Sequence, residues 1–487
     1  MKRFSRLYII GFLWTSLSLS AQENILTSRV LREPVQKVSE VNDANSVTTI
    51  EYYDTAGRLI QTIRKGFGPN GEDLADYIQF DEAGRIAKEY LSTPFTGNNG
   101  VFVPVSEFEQ STQTWSRTHL YEASTEGRIV ETSGMHVGGK SIKYDYRLSN
   151  SSEPELSALE FRMQNNTTIN KRMAARGAYQ VVEEIDEDGH RILLFTDSDG
   201  HTVLKRRVDG DVYHDTYMVY DAYDHLRCVL PPAAVDAYSS FDDQSLSAGN
   251  FLDLYAYFYI YDNDNQCVGV KYPGADWIYT VYDGDYRPIL SQDGNQRKRD
   301  EWSFIKYDGL GRVVIEGIVK DKRTRDDLAD IYEDVLVHEE YIGTEGPCRG
   351  YTDHIKMGQN RYILTCIRYY DNYAFTEFSS DWSFANMASS ASAKGLLTGV
   401  FEAVLNQPDK GRFTINQYDD KSRLIRRDSK ETLSNNTLSA DYSYNFSGAL
   451  IRSDSRYGNR YSLRLDYNYD HAGREKNSIC VLGYGTT

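Results

Sequence analysis

One short signature limits what this chain can fold into: an aromatic, Asp, two variable residues, Gly, Arg, then an apolar run. Its clearest copy is Tyr307-Asp308-Gly309-Leu310-Gly311-Arg312-Val313-Val314, and the pattern recurs about ten times. Asp at the first position of a type I turn accepts hydrogen bonds from the amides that follow it. Gly three residues on takes the positive φ that a hairpin exit with a G1 bulge requires, where a Cβ is unfavourable. The aromatic closes one strand, and Arg with its apolar run opens the next. Each copy reads as a β-hairpin, and folding is expected to be lost when glycines such as Gly311 acquire side chains.

Two copies lie early, Tyr53-Asp54 with Gly57-Arg58 and Phe80-Asp81 with Gly84-Arg85, twenty-seven residues apart. Later ones are Tyr220-Asp221, Tyr261-Asp262, Tyr282-Asp283, Tyr307-Asp308 with Gly311-Arg312, Tyr370-Asp371, Tyr418-Asp419 and Tyr469-Asp470 with Gly473-Arg474. A period of 20 to 27 residues with insertions marks an array. A single hairpin cannot bury its own face, so neighbours must pair edge to edge. The expected fold is mainly β: antiparallel hairpins forming a long twisted, spiral sheet with a few short helices. Arg side chains should lie over the rings of neighbouring units. Residues 233–254 read as partly helical, and Arg323 to Leu336 as a short amphipathic helix with Leu328, Ile331, Tyr332 and Val335 on one face. Ser149 to Thr168 is polar and aperiodic, a candidate boundary between an N-terminal β domain (22–150, two hairpins of this type) and a repeat region (170–487).

Composition agrees: there are 38 Tyr and 11 Pro, and strand-favouring aromatics outnumber helix-forming runs. The start reads as an export signal over residues 1–21, with Lys2, Arg3 and Arg6, then apolar Leu7 to Leu17, then Ser18-Leu19-Ser20-Ala21. That run is short for a bilayer span, and no later segment approaches one, so no membrane span is expected in the mature chain. Export implies a periplasmic, cell-surface or secreted protein. Removing the leader takes away three positive charges and no acid, moving the formal charge from −17 to −20. No basic stripe offsets it, which argues against a nucleic-acid partner. Five Cys are widely spaced without a C-x-x-C; Cys348 and Cys366 could pair in an oxidising space, but isolated thiols are the simpler expectation.

No constellation for chemistry stands out, so no catalytic residue, metal site or cofactor is expected. His338-Glu339-Glu340 lacks a second His four residues on. Asp186-Glu187-Asp188-Gly189 and Asp197-Ser198-Asp199-Gly200 invite a calcium reading, yet neither continues to a distal Glu, and the simpler account has these acids capping turns. Nucleophile elbows of the Gly-x-Ser-x-Gly kind are absent from the sequence, and neither nucleophilic nor nucleotide chemistry is expected. Tyr255, Tyr257, Tyr259 and Tyr261 are expected on one face of a strand, Tyr255 to Tyr261. With Trp277, Tyr255 and Tyr257 form a possible platform for a surface glycan, although a structural cross-strand ladder is the simpler reading.

Tyr-Asp-x-x-Gly-Arg units at this spacing resemble the YD repeats of the Rhs family. So do Gly274-Ala275-Asp276-Trp277-Ile278-Tyr279-Thr280-Val281-Tyr282-Asp283, Ser291 to Arg297, Gln61 to Asp73, Tyr217 to Pro232, and Tyr369 to Tyr373 with Lys394 to Gly399. The N-terminal part is similar to a domain of unknown function that precedes YD repeats in secreted Rhs-like proteins. The resemblance implies a spiral sheet that closes, in full-length members, into a shell around a C-terminal toxin. The self-cleaving core and variable effector tail of such members are not seen here, so an incomplete shell is expected. The implied role is an exported, non-enzymatic scaffold, shell segment or interaction surface, or a component of a toxin system whose effector is missing or separately encoded.

Overall fold

The structure, a computed structural model, describes residues 24–31, 37–42, 46–68, 70–111, 115–134, 140–163, 168–238, 244–245, 251–343, 346–354, 356–357, 362–377, 382–383, 393–405, 407–445, 448–458, 460–469 and 474–484. The expected leader, and Asp470 and Gly473 of the last motif, lie outside them.

Among the described residues one antiparallel sheet contains 27 strands. It runs as a meander in chain order, from Asn24–Leu31, bonded to Ser46–Tyr53, through to Glu475–Tyr484, bonded to Tyr461–Tyr469. Among the described residues the sheet does not close on itself: no pairing joins its first and last strands. The spacing of the motif thus reads out directly as strand order.

The twist has a local cause. At aromatic after aromatic of the motif the register slips by one residue, as between Tyr52 and Tyr53, Val281 and Tyr282, Lys306 and Tyr307, and Gln417 and Tyr418. A β-bulge bends its strand and increases the right-handed twist, so one per hairpin coils the ribbon. The coil brings residues 407 apart together: the Arg474 guanidinium donates to the Phe67 carbonyl at 2.8 Å and lies 5.2 Å above that ring.

The positive-φ position behaves differently from expectation. Gly311 adopts φ +76°, but Asp224 (65°), Asn265 (64°), Tyr286 (58°) and Ser422 (62°) occupy the same turn position without being glycine. A Cβ on Gly311 would meet no atom within 4 Å. Its substitution therefore carries only the backbone penalty of roughly 1–2 kcal/mol, not loss of the fold. Steric need instead marks glycines such as Gly317, mid-strand, where a Cβ would collide with the Phe304 ring and come within 2.5 Å of the Ile363 carbonyl oxygen. Urea melts should show Gly317→Ala losing more stability than Gly311→Ala, by overpacking a core strand at roughly 1–3 kcal/mol or above; the reverse order would refute this account.

Three apolar cores line the sheet in succession. The first surrounds Tyr52, Ile63, Tyr90 and Phe108; the second Leu193, Phe195, Cys228 and Phe258; the third Trp302, Phe304, Ile367, Tyr369, Phe401 and Phe413. From Leu424 onward the only buried apolar residue among those described is Ala440. Cross-strand ion pairs Arg426–Asp441, Arg452–Asp466 and Arg464–Asp454 tie that region together instead.

The candidate boundary at Ser149 to Thr168 coincides with an excursion. Leu159–Met163, Thr168–Met173 and Gln244–Ser245 form a separate three-stranded sheet, while Ser141–Leu148 pairs directly with Gln180–Ile185 and carries the main sheet past it unbroken. Helices occupy Pro232–Tyr238 and Phe251–Tyr255 in the stretch read as partly helical. The expected helix from Arg323 is shorter, Arg325–Tyr332, capped by Thr324. It buries Leu328 and Tyr332, while Ile331 on the expected apolar face stays 42% exposed. Tyr255 belongs to a helix, not to the strand Tyr257–Tyr261. It therefore leaves the tyrosine face on which alternation placed it. No helix among the described residues is long and apolar enough to cross a membrane.

Candidate functional site

The motif residues assemble into a relay that crosses from hairpin to hairpin. In the central copy Asp308 Oδ1 accepts the amides of Leu310 and Arg312, both at 2.9 Å, and Oδ2 accepts Arg312 Nε at 2.6 Å. The guanidinium continues to Asp371 and lies 4.4 Å above the Tyr370 ring. The Tyr370 hydroxyl returns to the Val313 carbonyl, one residue past that Arg.

Other copies repeat these parts. Asp54 holds Arg58, Asp81 holds Arg85, Asp283 holds Arg287 and Asp419 holds Arg423. Arg58 covers Phe80, Arg85 covers Tyr121, Arg287 covers Tyr307 and Arg423 covers Tyr444. The hydroxyls of Tyr282, Tyr307, Tyr418 and Tyr469 donate to the carbonyls of Cys267, Pro288, Leu397 and Leu450 at 2.7–2.9 Å. Where Arg is replaced, His takes the ring: His201 stacks on Tyr220 and His225 on Tyr261, each at 4.4 Å. Asp221 and Asp262 make the same turn bonds, to His225 and Gln266. Tyr53 departs by donating to Glu51. Asp371 departs further, binding Arg312 of the preceding hairpin and the Gly395 amide across an insertion. Sequence reading missed one unit, Tyr121-Glu122 with Gly127-Arg128; its Tyr, Gly and Arg were visible, but Glu in place of Asp and two extra loop residues hid it.

Six of these carboxylates, Asp54, Asp81, Asp221, Asp371, Asp419 and Glu122, are held ionised by their surroundings. In Asp54 and Asp81 the amide of the following Arg, with its guanidinium, pulls the carboxyl below its ordinary 3.8. Arg128, with the Ser124 hydroxyl, lowers Glu122 to about 2. A depressed folded-state pKa lends stability that is present above the ordinary value and lost as pH falls through the folded value. The melting temperature should fall between pH 4.5 and about 2, and Glu122→Gln should flatten part of that slope. An unchanged slope in the variant would remove Glu122 as a contributor.

The aromatics singled out as a glycan platform are dispersed. Tyr255 sits in its helix at 41% exposure. Tyr257 meets exposed Tyr272 edge-on at 6.1 Å, and half-buried Trp277 lies parallel to Tyr279 with centroids 6.2 Å apart. All five cysteines are free thiols. Cys348 Sγ lies 3.2 Å from the Tyr362 hydroxyl, and burial pushes that thiol up.

Two polar constellations lie outside the motif. Lys306, fully buried, donates to Glu339 at 2.7 Å and Asp353 at 2.6 Å. Glu339 of the His338-Glu339-Glu340 run also accepts the Thr352 hydroxyl and the His354 amide, so it serves this network. The other is Asp197, Asp199 and His201, whose ligand atoms lie within 4.8 Å of one another. Asp197 Oδ1 is engaged by the turn amides of Asp199 and His201. Asp186 is engaged in the same way, by Asp188 and His190.

Beside Asp197 a cavity of about 410 Å³ opens between the side sheet and the main sheet. Its walls include Phe161, Tyr179, Tyr217 and Tyr220, with Phe161 packed edge-on against Tyr217 at 4.7 Å.

Comparison with known proteins places the N-terminal part. Residues 27–147, about a quarter of the chain, match a domain of unknown function, DUF6443. The match falls where a domain of unknown function was expected ahead of the repeats. No curated protein matches the chain. Among solved structures it is similar to TcdB2-TccC3-TEV (11% identity, TM-score 0.42, 96% of this chain and 23% of that one). It is also similar to TcdB2-TccC3 without its hypervariable C-terminal region (11%, 0.46, 94% and 21%). A third is the Photorhabdus luminescens Tc holotoxin pore (12%, 0.39, 94% and 26%). The chain spans about a quarter of the length of these structures.

Proposed function

We propose that the chain is an exported, non-enzymatic scaffold: a segment of a spiral β shell whose last strands are an interaction surface. The observation that carries this reading is the terminal strand Glu475–Tyr484. Among the described residues it is bonded on one side only, and Ile479, Val481, Leu482 and Tyr484 are 50–76% exposed. Soluble sheets shield or charge such edges because an open ladder of amides and carbonyls templates another strand. The missing apolar core beyond Leu424 supports it too, since that region offers little burial of its own. Within the relay, the Asp carboxylates are occupied by turn amides and by Arg, which favours architecture over reaction.

Light scattering and hydrogen exchange on the chain from Gln22 onward test the reading. The expected result is association through residues 475–484 with slowed exchange there, either between copies or with the product of an adjacent gene expressed alongside. The latter outcome would make the protein a toxin-system component if that product is an effector. Lys at positions 479 and 481 (Ile479→Lys with Val481→Lys) should abolish association. A wild-type chain that stays monomeric with fast exchange in this strand, whatever is expressed with it, counts against the proposal.

A further inference from the structure

The cavity beside Asp197 is built from unlike parts. Phe161 and Tyr217 supply ring surface, while Arg162 and Arg172 both bond to Glu160, whose two oxygens accept three guanidinium hydrogen bonds. Asp197 and Asp199 come from the hairpin turn at its side. Its volume falls within the roughly 300–1,000 Å³ of small-ligand sites.

One group points to a ligand independently of this lining. Tyr179 is only 7% exposed, and among the described residues its hydroxyl has no hydrogen-bond partner. Tyr179 lines the cavity. The tyrosines of the relay, by contrast, return their hydroxyls to carbonyls. A buried hydroxyl without a protein acceptor is completed by whatever occupies the space beside it.

The chemistry of the lining narrows the ligand. Two guanidiniums, both paired with Glu160, face three carboxylates (Glu160, Asp197 and Asp199), so the charged lining is not net positive. An anion finds no surplus positive charge there. A wholly apolar molecule would strand the Tyr179 hydroxyl without a partner. A molecule with a C–H face for the rings and hydroxyls for the carboxylates and Tyr179 satisfies every wall. We propose that this cavity binds a neutral saccharide of one or two units, held between the rings and the Asp197–Asp199 turn. The site is independent of the scaffold reading, because it is walled by the side sheet rather than by the open terminal strand.

Calorimetric titration of the chain from Gln22 onward with cellobiose, lactose, maltose and N,N′-diacetylchitobiose tests the assignment. At least one of the four should bind, and Tyr179→Phe should weaken it about tenfold, the loss of one hydrogen bond. The melting temperature should be unchanged, since that hydroxyl bonds nothing within the protein. Asp199→Asn should weaken the same sugar by a similar factor. Silence from all four sugars up to ~10 mM, equal affinity in Tyr179→Phe, or binding of tetramethylammonium in place of any sugar would each overturn it.

Discussion

Replacing Lys306 by Met is expected to destabilise the protein by about 3–5 kcal/mol. The ammonium is fully buried and bridges Glu339, also fully buried, and Asp353, which is 16% exposed. Its removal leaves the buried Glu339 carboxylate, with Asp353 beside it at the edge of the interior, without the cation between them, and that charge dominates over the methylenes Met restores. Glu339 keeps the Thr352 hydroxyl and the His354 amide, which cannot neutralise it. The matched variant Lys306→Met with Glu339→Gln should recover a substantial part of the loss, because the amide no longer demands a counter-charge. Urea unfolding of wild type, both singles and the double variant measures the coupling. A single variant within about 1 kcal/mol of wild type would show that water reaches this site.

Arg206→Met should cost a similar amount, about 3–5 kcal/mol, for a different reason. Arg206 is 4% exposed and grips both oxygens of Asp215 at 2.7 and 2.6 Å. Its remaining nitrogen donates to the carbonyls of Pro154, Glu155 and Ser157. One side chain thus satisfies three backbone acceptors in the loop that leads into the side sheet. Losing it strands Asp215 and frees that loop, so limited proteolysis should cut near residues 154–157 before the rest of the chain. Arg206→Lys should rescue little, since a single ammonium cannot present the planar fork that reaches Asp215 and the loop together. Full stability in the Lys variant would show that charge alone suffices.

The two networks mark where sequence reading stopped. Within one hairpin the turn was legible wherever the Asp-x-x-Gly spacing holds, because the Asp308 bonds to Leu310 and Arg312 span two and four residues and depend only on local turn chemistry; the longer Glu122 loop escaped it. The same reasoning overstated Gly311, since a left-handed turn position tolerates Asp, Asn, Ser and even Tyr when nothing packs against the Cβ. Tyr255 was misplaced because alternation of aromatics carries no mark of where a strand yields to a helix. Lys306 meets Glu339 and Asp353 across separations of 33 and 47 residues, and Arg206 reaches back about 50. No periodicity encodes such pairings.

The chain's own order of residues thus settles the hairpin, its Asp–Arg turn and the ring that the Arg covers in the next unit, all being near-neighbour effects repeated along a meander. The path of the sheet is a different matter: it follows from a twist summed over many bulges, and only that sum brings Arg474 to Phe67. The side sheet, the cavity it walls and the buried ion networks belong to this second class, because they depend on how distant segments stack after the coil has formed.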